Sequence, residues 1–372
     1  MNLGFTTDHE ALREQLRKLL AHAERRPPAD TPWDEPPDAP LWQALAEGGW
    51  LGTAVPESHG GSGLDDGAAL CVLAEEAGRA LAALPLVASA CAFTHALLPL
   101  ASEVPPELWE GLAAGNARGV LLADEVGPAR PTLSVDSGEP ARLRGRMLQV
   151  PDGPSATHAL LLTESGESPA LVLAALDSGC KSAPAAQPLD LLHPCCDIEL
   201  DAAAVRVLAR GSQAQSLWMR ACDAFALFVA FEQLGGAEAA LEAARSYSLQ
   251  RYAFGRPVGS FQAVKHALAD VLVAVDLARS NCLFGLAALA QGGDALGEAA
   301  AVARISATEA FRASAAASTQ VHGALGVTWE ADCHLFYRRA QLLAGSPGSQ
   351  WRWKDRLVRL LQQRAAQPSG AT

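Results

Sequence analysis

One carboxylate stands out for the company it keeps. Glu232 lies in the run Phe225-Ala-Leu-Phe-Val-Ala-Phe-Glu-Gln-Leu-Gly-Gly236, where its neighbours are almost all apolar. Burial in such surroundings disfavours the charged form and raises the carboxyl pKa toward the range useful to a general base. The chemistry that suits such a group is proton abstraction. The same residue also reads as a glutamate at a helix bend or subunit contact, paired with an arginine, and both readings stand at this point. Other reactive side chains are scattered. His322 and His334 have no companion at ligand spacing and read as structural, so no metal site is expected. Eight cysteines show no CxxC, and the adjacent Cys195-Cys196 is a poor chelate and a strained disulfide. They read as reduced thiols of a cytoplasmic protein.

The elements that must position Glu232 follow from periodicity. Residues 7–24 read as an amphipathic helix with Thr7 as cap and Glu10 three residues on. A proline-rich break from Pro27 to Pro40 precedes a helix over Leu41–Gly48. A glycine loop at Pro56–Gly63 then leads into helix from Asp65 through Arg79. Val87 to Leu98 is a further apolar helix, with Pro99 and Pro105-Pro106 closing it off. From about Val120 to Arg210, short runs such as Val120–Ala123, Ala159–Leu162 and Ala170–Ala174 alternate with Gly, Pro, Asp and Ser. That is strand-and-turn texture. After Ser212 four helical segments are expected, at roughly 214–252, 262–291, 296–322 and 350–366. The reading is α+β in three units: a helical domain over 1–118, a β-barrel or sandwich over 119–211, and a four-helix bundle over 212–372.

Composition bounds the function. The chain has 372 residues, 49% hydrophobic and 19% charged, enough to bury a large core. A formal net charge of −12 argues against a nucleic-acid partner, since phosphate neutralisation needs clustered Lys and Arg. The N-terminus is charged throughout, unlike a signal peptide, and no uncharged apolar run reaches the ~18–20 residues of a membrane span.

Three signatures occur in order: Leu41-Trp-Gln-Ala-Leu-Ala-Glu-Gly-Gly-Trp-Leu-Gly52 with Val55-Pro-Glu-Ser-His-Gly-Gly-Ser-Gly63, then Arg251-Tyr-Ala-Phe-Gly-Arg-Pro-Val-Gly259, then Gln320-Val-His-Gly-Ala-Leu-Gly-Val-Thr-Trp-Glu330. Together they resemble the acyl-CoA dehydrogenase family, flavoenzymes that desaturate acyl thioesters, and the resemblance covers essentially the whole chain. It implies an enzyme with bound FAD, an acyl-CoA or carrier-bound acyl substrate, and an electron-transfer flavoprotein as acceptor. It also implies assembly as a homodimer or homotetramer, or as a heterotetramer with a homologous subunit. Position by position, Arg251 matches the pyrophosphate-contacting arginine, whose planar fork suits diphosphate oxygens. Phe254 matches the aromatic of the same motif and Gln262 a polar contact at the next helix start. Gln320, Gly323 and Ala324 match the segment along the adenine end. Glu330 reads as ordering the loop beyond it.

The resemblance also exposes departures. Ala324 stands where a second glycine is usual, and its β-carbon narrows the backbone approach. Ala123-Asp-Glu-Val-Gly-Pro128 and Gln149-Val-Pro-Asp-Gly153 replace the family's flavin-shielding segments. An ungapped count places the usual catalytic glutamate on Pro347, which has neither a carboxylate nor a backbone N–H. The alternative base position of some members falls on Phe225. Glu232, seven residues further along, returns to within about 20° of the same helical face, whereas Asp223 lies off it. Two function classes follow: a dehydrogenase with Glu232 as its base, or a non-catalytic partner subunit of a heteromeric dehydrogenase of the steroid-degrading type. Arg338-Arg339 read as ion-pairing or CoA-contacting residues, and Trp351 and Trp353 as interface or channel residues.

Overall fold

The computed structural model describes residues 5–22, 36–64, 67–122, 134–136, 141–165, 168–184, 188–293 and 295–366. The order is the expected one: helices, then a β-domain, then a helical bundle. The N-terminal unit holds α1 (Thr7–Leu20), α2 (Ala39–Glu47), α3 (Ala68–Ala80), a π-helical segment (Leu86–Phe93), α4 (Thr94–Leu97) and α5 (Pro106–Ala113). The cap of α1 is Thr6 rather than Thr7. Its hydroxyl accepts from the His9 N–H at 3.3 Å, and His9 Nδ1 accepts from the Thr6 N–H at 3.2 Å. A histidine thus fills the reciprocal place expected of Glu10. Pro106 does not end a helix but begins α5, because a missing N–H costs nothing in a first turn.

The middle unit comprises β1 (Gly119–Leu121), β2 (Ser134–Asp136), β3 (Arg142–Pro151), β4 (His158–Ser165), β5 (Ser168–Ala175) and β6 (Cys195–Arg210). Pairing runs from β4 through β2, β3, β6 and β5 and returns to β4, so the sheet curls into a barrel. β1 adds in parallel to the first half of β4. Alternating inward residues such as Leu143, Met147, Ile198 and Leu200 fill the interior.

β6 passes directly into α6 (Gly211–Gln250), the axis of the C-terminal unit. A hairpin, β7 (Tyr252–Ala253) and β8 (Arg256–Pro257), leads to α7 (Gln262–Gln291), then α8 (Ala295–His322), α9 (Cys333–Gly345) and α10 (Gln350–Ala366). α9 is additional to the four expected helices. By length and composition α6 and α7 could each cross a membrane, but 78% of the apolar window of α6 is buried inside the protein, against 39% for α7. α6 is a core helix. The segment Ala123–Pro128 lies outside the described residues.

Candidate active site

The site begins where two helices touch through glycine. A β-carbon on Gly78 of α3 would meet the Glu232 carbonyl oxygen at 1.8 Å, and one on Gly235 of α6 would meet the Glu75 carbonyl oxygen at 1.8 Å. Only glycine at both positions lets the two backbones meet. The crossing fixes α6 in depth and rotation, and presents Phe225, Val229 and Glu232 along one face. That face borders a cavity of about 540 Å³ including its mouth. Opposite stand Val87 and Ala88 of the π-helical segment, Val120 and Leu121 of β1, and the end of β3. Leu342, Leu343 and Ser346 at the end of α9 close it.

The polar part of this wall is one connected group. Register between β3 and β6 pairs Pro151 with Cys195, and the Asp152 N–H donates to the Pro194 carbonyl at 3.1 Å. Asp152 thereby reaches the residue before that proline: its Oδ1 lies 2.7 Å from His193 Nδ1. His193 Nε2 lies 3.2 Å from the Ala82 carbonyl oxygen, just beyond α3. Arg339 of α9 donates to the same carbonyl at 3.3 Å, to Glu232 Oε1 at 3.0 Å, and through Nε to Asp190. Asp190 Oδ1 also accepts from the Leu192 N–H at 2.9 Å. All five side chains are buried.

Burial pushes the Glu232 carboxyl above its ordinary range, although Arg339 and His193 pull the other way. An ion-paired glutamate would ordinarily be lowered. Here one guanidinium is divided between two carboxylates. Asp190 is buried too, yet is held below the usual range by Arg339 and His193. Asp190 also accepts from the Leu192 N–H, whereas among the described residues Glu232 has Arg339 as its one hydrogen-bond donor.

The geometry holds one element of each reading of Glu232: it faces a mostly apolar cavity, and it is paired with an arginine. Asp223 lies elsewhere, bonded to Arg356 at 2.6 Å. The Pro347 turn borders the cavity through Ser346. It is held from behind by buried Arg304, which donates to the Ser346 carbonyl at 3.1 Å, to the Leu343 carbonyl and to Gln233 Oε1 at 2.7 Å. Trp353 is core, its indole N–H donating to the Pro347 carbonyl at 2.7 Å, whereas Trp351 is exposed. Arg338 bonds the carbonyls of Pro188 and Leu189. Sequence reasoning missed Asp152, Asp190 and His193. Two of them lie in the aperiodic stretch Leu189–His193, and no spacing announces their partners.

The remaining candidates share the other end of the bundle, and none lines the cavity. Phe254 and Gly255 form the two-residue loop between β7 and β8, both with positive φ (53° and 78°), the primed turn that suits a hairpin. It thrusts Phe254 out to 96% exposure. Arg251, Gln262, Gln320, Gly323 and Ala324 are exposed too. Tyr247 stacks on His322 at 4.2 Å, tying the end of α6 to that of α8 and so bringing the two signatures side by side. The Arg251 guanidinium has no partner among the described residues. A free guanidinium, an amide at a helix start and an open glycine turn fit the diphosphate and adenine of a dinucleotide. Among the described residues no group of three or more His, Cys, Asp or Glu could hold a metal.

Residues 6–104 match the acyl-CoA dehydrogenase N-terminal domain and residues 216–350 the acyl-CoA dehydrogenase C-terminal domain. Acyl-CoA dehydrogenase IpdE2 of Mycobacterium tuberculosis is 31% identical over 312 residues, covering 82% of this chain and 80% of IpdE2. Acyl-CoA dehydrogenase FadE34 of the same organism is 33% identical over 329 residues, 87% of this chain, but the match spans only 42% of FadE34. Among solved structures, a variant of the Tcur3481-Tcur3483 steroid ACAD superimposes with TM-score 0.85 at 30% identity, over 97% of this chain and 99% of that one. The ChsE4-ChsE5 complex of M. tuberculosis gives 0.82 at 26% identity, over 99% and 100%. The chain belongs to the acyl-CoA dehydrogenase family.

Proposed function

We propose that this chain is one subunit of an FAD-dependent acyl-CoA dehydrogenase built with a homologous chain, and that it supplies cofactor contacts and cavity walls rather than the catalytic base. The assembly removes a Cα proton and a Cβ hydride from an acyl-CoA thioester, and electrons leave to an electron-transfer flavoprotein. When bound, FAD supplies the hydride acceptor; Arg251, Phe254, Gln262, Gln320 and the Gly323-Ala324 turn would hold its diphosphate and adenine end. The observation that carries the reading is the state of the three places where a base is expected. Pro347 and Phe225 cannot take a proton, and the Glu232 carboxylate is claimed by Arg339. The steroid-directed and two-chain assemblies among its structural relatives support a bulky, ring-bearing acyl group and a homologous partner.

A second reading has its own support. Glu232 faces the cavity with a raised pKa, as a base that abstracts a Cα proton requires. Glu232→Gln separates the two, because the amide keeps the shape and removes the basicity. We expect FAD content and single-turnover bleaching of the flavin by an acyl-CoA to stay within about twofold of wild type in the co-expressed assembly. Loss of bleaching by about 10²–10⁴-fold, the usual worth of a general base, would transfer catalysis to Glu232. A chain that loads one FAD and turns over alone would remove the partner requirement.

A further inference from the structure

We propose that His193 is a buried imidazolium that latches the β-domain to the N-terminal helical domain at the cavity wall, and that losing its proton opens this joint. The argument is one of donors and acceptors. His193 Nδ1 faces the Asp152 carboxylate at 2.7 Å and Nε2 faces the Ala82 carbonyl at 3.2 Å. Both partners accept, so a ring with a single proton satisfies only one of them. Two protons satisfy both, and the ring then carries a charge.

The surrounding charges agree. Glu232, Asp190 and Asp152 approach from α6, from the loop before β6 and from the end of β3; Arg339 approaches from α9. With His193 charged, two cations stand among three carboxylates; with it neutral, one cation does. The Cys195 thiol beside them is pushed up by burial to about 12 and adds no charge. Burial and Arg339 pull His193 down, but Asp152 and Glu232 outweigh them and its pKa ends above the ordinary value. Its contribution to stability is therefore complete below the unfolded pKa, about 6.5, and is lost as pH rises through the higher folded value.

The consequence reaches the cavity through connectivity. Ala82 belongs to the N-terminal domain and His193 to the β-domain, while Arg339 of the bundle holds the same Ala82 oxygen. Three residues before His193 is Asp190, which holds Arg339 against Glu232. A deprotonated His193 must give up Ala82 or Asp152. The loop carrying Asp190 then loses an anchor, and Arg339 is freed toward Glu232. His193 is in this sense a positioning residue for the cavity wall, whichever chain supplies the base.

Two measurements test it on the full chain with whatever flavin and partner purify with it. Neutron diffraction from deuterium-exchanged crystals at about pH 6 should show deuterons on both ring nitrogens. A single deuteron on the ring, with or without one on Asp152, overturns the proposal. Hydrogen exchange across residues 81–88 and 188–194, corrected for intrinsic rates between about pH 6 and about pH 9, should show a loss of protection. Its midpoint should lie above the ordinary histidine value. His193→Gln, which cannot titrate, should abolish that step, and a step that persists sinks the idea. Should that variant fail to fold, Asp152→Asn serves: without the carboxylate the midpoint must move to lower pH, and an unmoved midpoint is equally fatal.

Discussion

Two arginines show how differently one chain uses the same side chain. Arg339 is almost wholly buried, and its guanidinium is divided among Asp190, Glu232 and the Ala82 carbonyl, one partner from each of three domains. Arg251 stands exposed on the shoulder of a hairpin, its guanidinium without a partner among the described residues. Arg339 is spent on the fold, since a guanidinium out of water must be compensated by carboxylates and carbonyls that accept from it. Arg251 joins the fold through its backbone alone, its N–H donating to the Tyr247 carbonyl at 2.9 Å, which leaves its side-chain donors open to the diphosphate proposed above. The lesson concerns Glu232 as well. Lining a cavity does not free a carboxylate when a structural arginine already holds it.

The sharpest way to break the contrast is Arg339→Met. Removing the cation leaves Asp190 and Glu232 uncompensated in a buried space, and we expect a loss of about 3–5 kcal/mol in denaturant unfolding. Adding Glu232→Gln should restore part of it, as one of the stranded charges goes with it. A Met variant as stable as wild type would mean that the junction is not what joins the domains. Next in size is Gly78→Ala. Its new β-carbon overlaps the Glu232 carbonyl oxygen, which is backbone and cannot swing aside. Forcing α3 and α6 apart should cost about 3 kcal/mol, the upper end for overpacking, and should loosen the cavity wall. Gly60→Ala makes a poor control because of its positive φ; Gly345→Ala, with open space around it and an ordinary φ, makes a good one.

These variants also show how much the sequence disclosed. The three-part order was legible because long helical periods and short strands leave different textures, and the shared face of Phe225 and Glu232 follows from helical geometry alone. α5 and α9 escaped, one because a double proline reads as a stop, the other because the charged pair Arg338-Arg339 interrupts its apolar pattern. The partner of Glu232 was anticipated in kind, as an arginine, but not tied to Arg339. Asp152, Asp190 and His193 were invisible. They meet through the register of β3 on β6 and through the crossing of three domains, neither of which any local pattern encodes. The residues proposed to meet the cofactor were the reverse case, named from motifs alone and exposed at the far end of the bundle.

A smaller effect is expected at a second ionic group, between α1 and α3. Glu76 accepts from Arg13 at 3.0 Å and from Arg17 at 2.7 Å. Burial raises its pKa, but the bonds and charges of Arg17, Arg79 and Arg13 prevail and hold it below the ordinary value. Such a carboxylate stabilises the fold above its unfolded pKa, and the contribution fades as pH falls through the lower folded value. Glu76→Gln should therefore cost about 1–2 kcal/mol near neutrality, discounted because Arg17 is half exposed. The gap from wild type should close on acidification. A gap that widened toward acid would reverse the sign of the argument.

The smallest effect on stability should be the most telling about function. Arg251→Gln removes an exposed guanidinium with no hydrogen bond or ion pair among the described residues, so unfolding should stay within about 0.5 kcal/mol of wild type. If those donors await a diphosphate, the loss appears only when the cofactor binds. A charge-assisted bond is worth about 1.5–3 kcal/mol, so FAD should be held roughly 10- to 100-fold more weakly, read as flavin retained through gel filtration and as a fluorescence titration of the stripped assembly. Arg251→Lys should recover only part, because an ammonium keeps the charge but not the planar fork. The comparison fails if the Gln variant unfolds more easily while holding FAD as before. Arg251 would then be a second structural arginine, and the exposed end of the bundle would lose its claim to the cofactor.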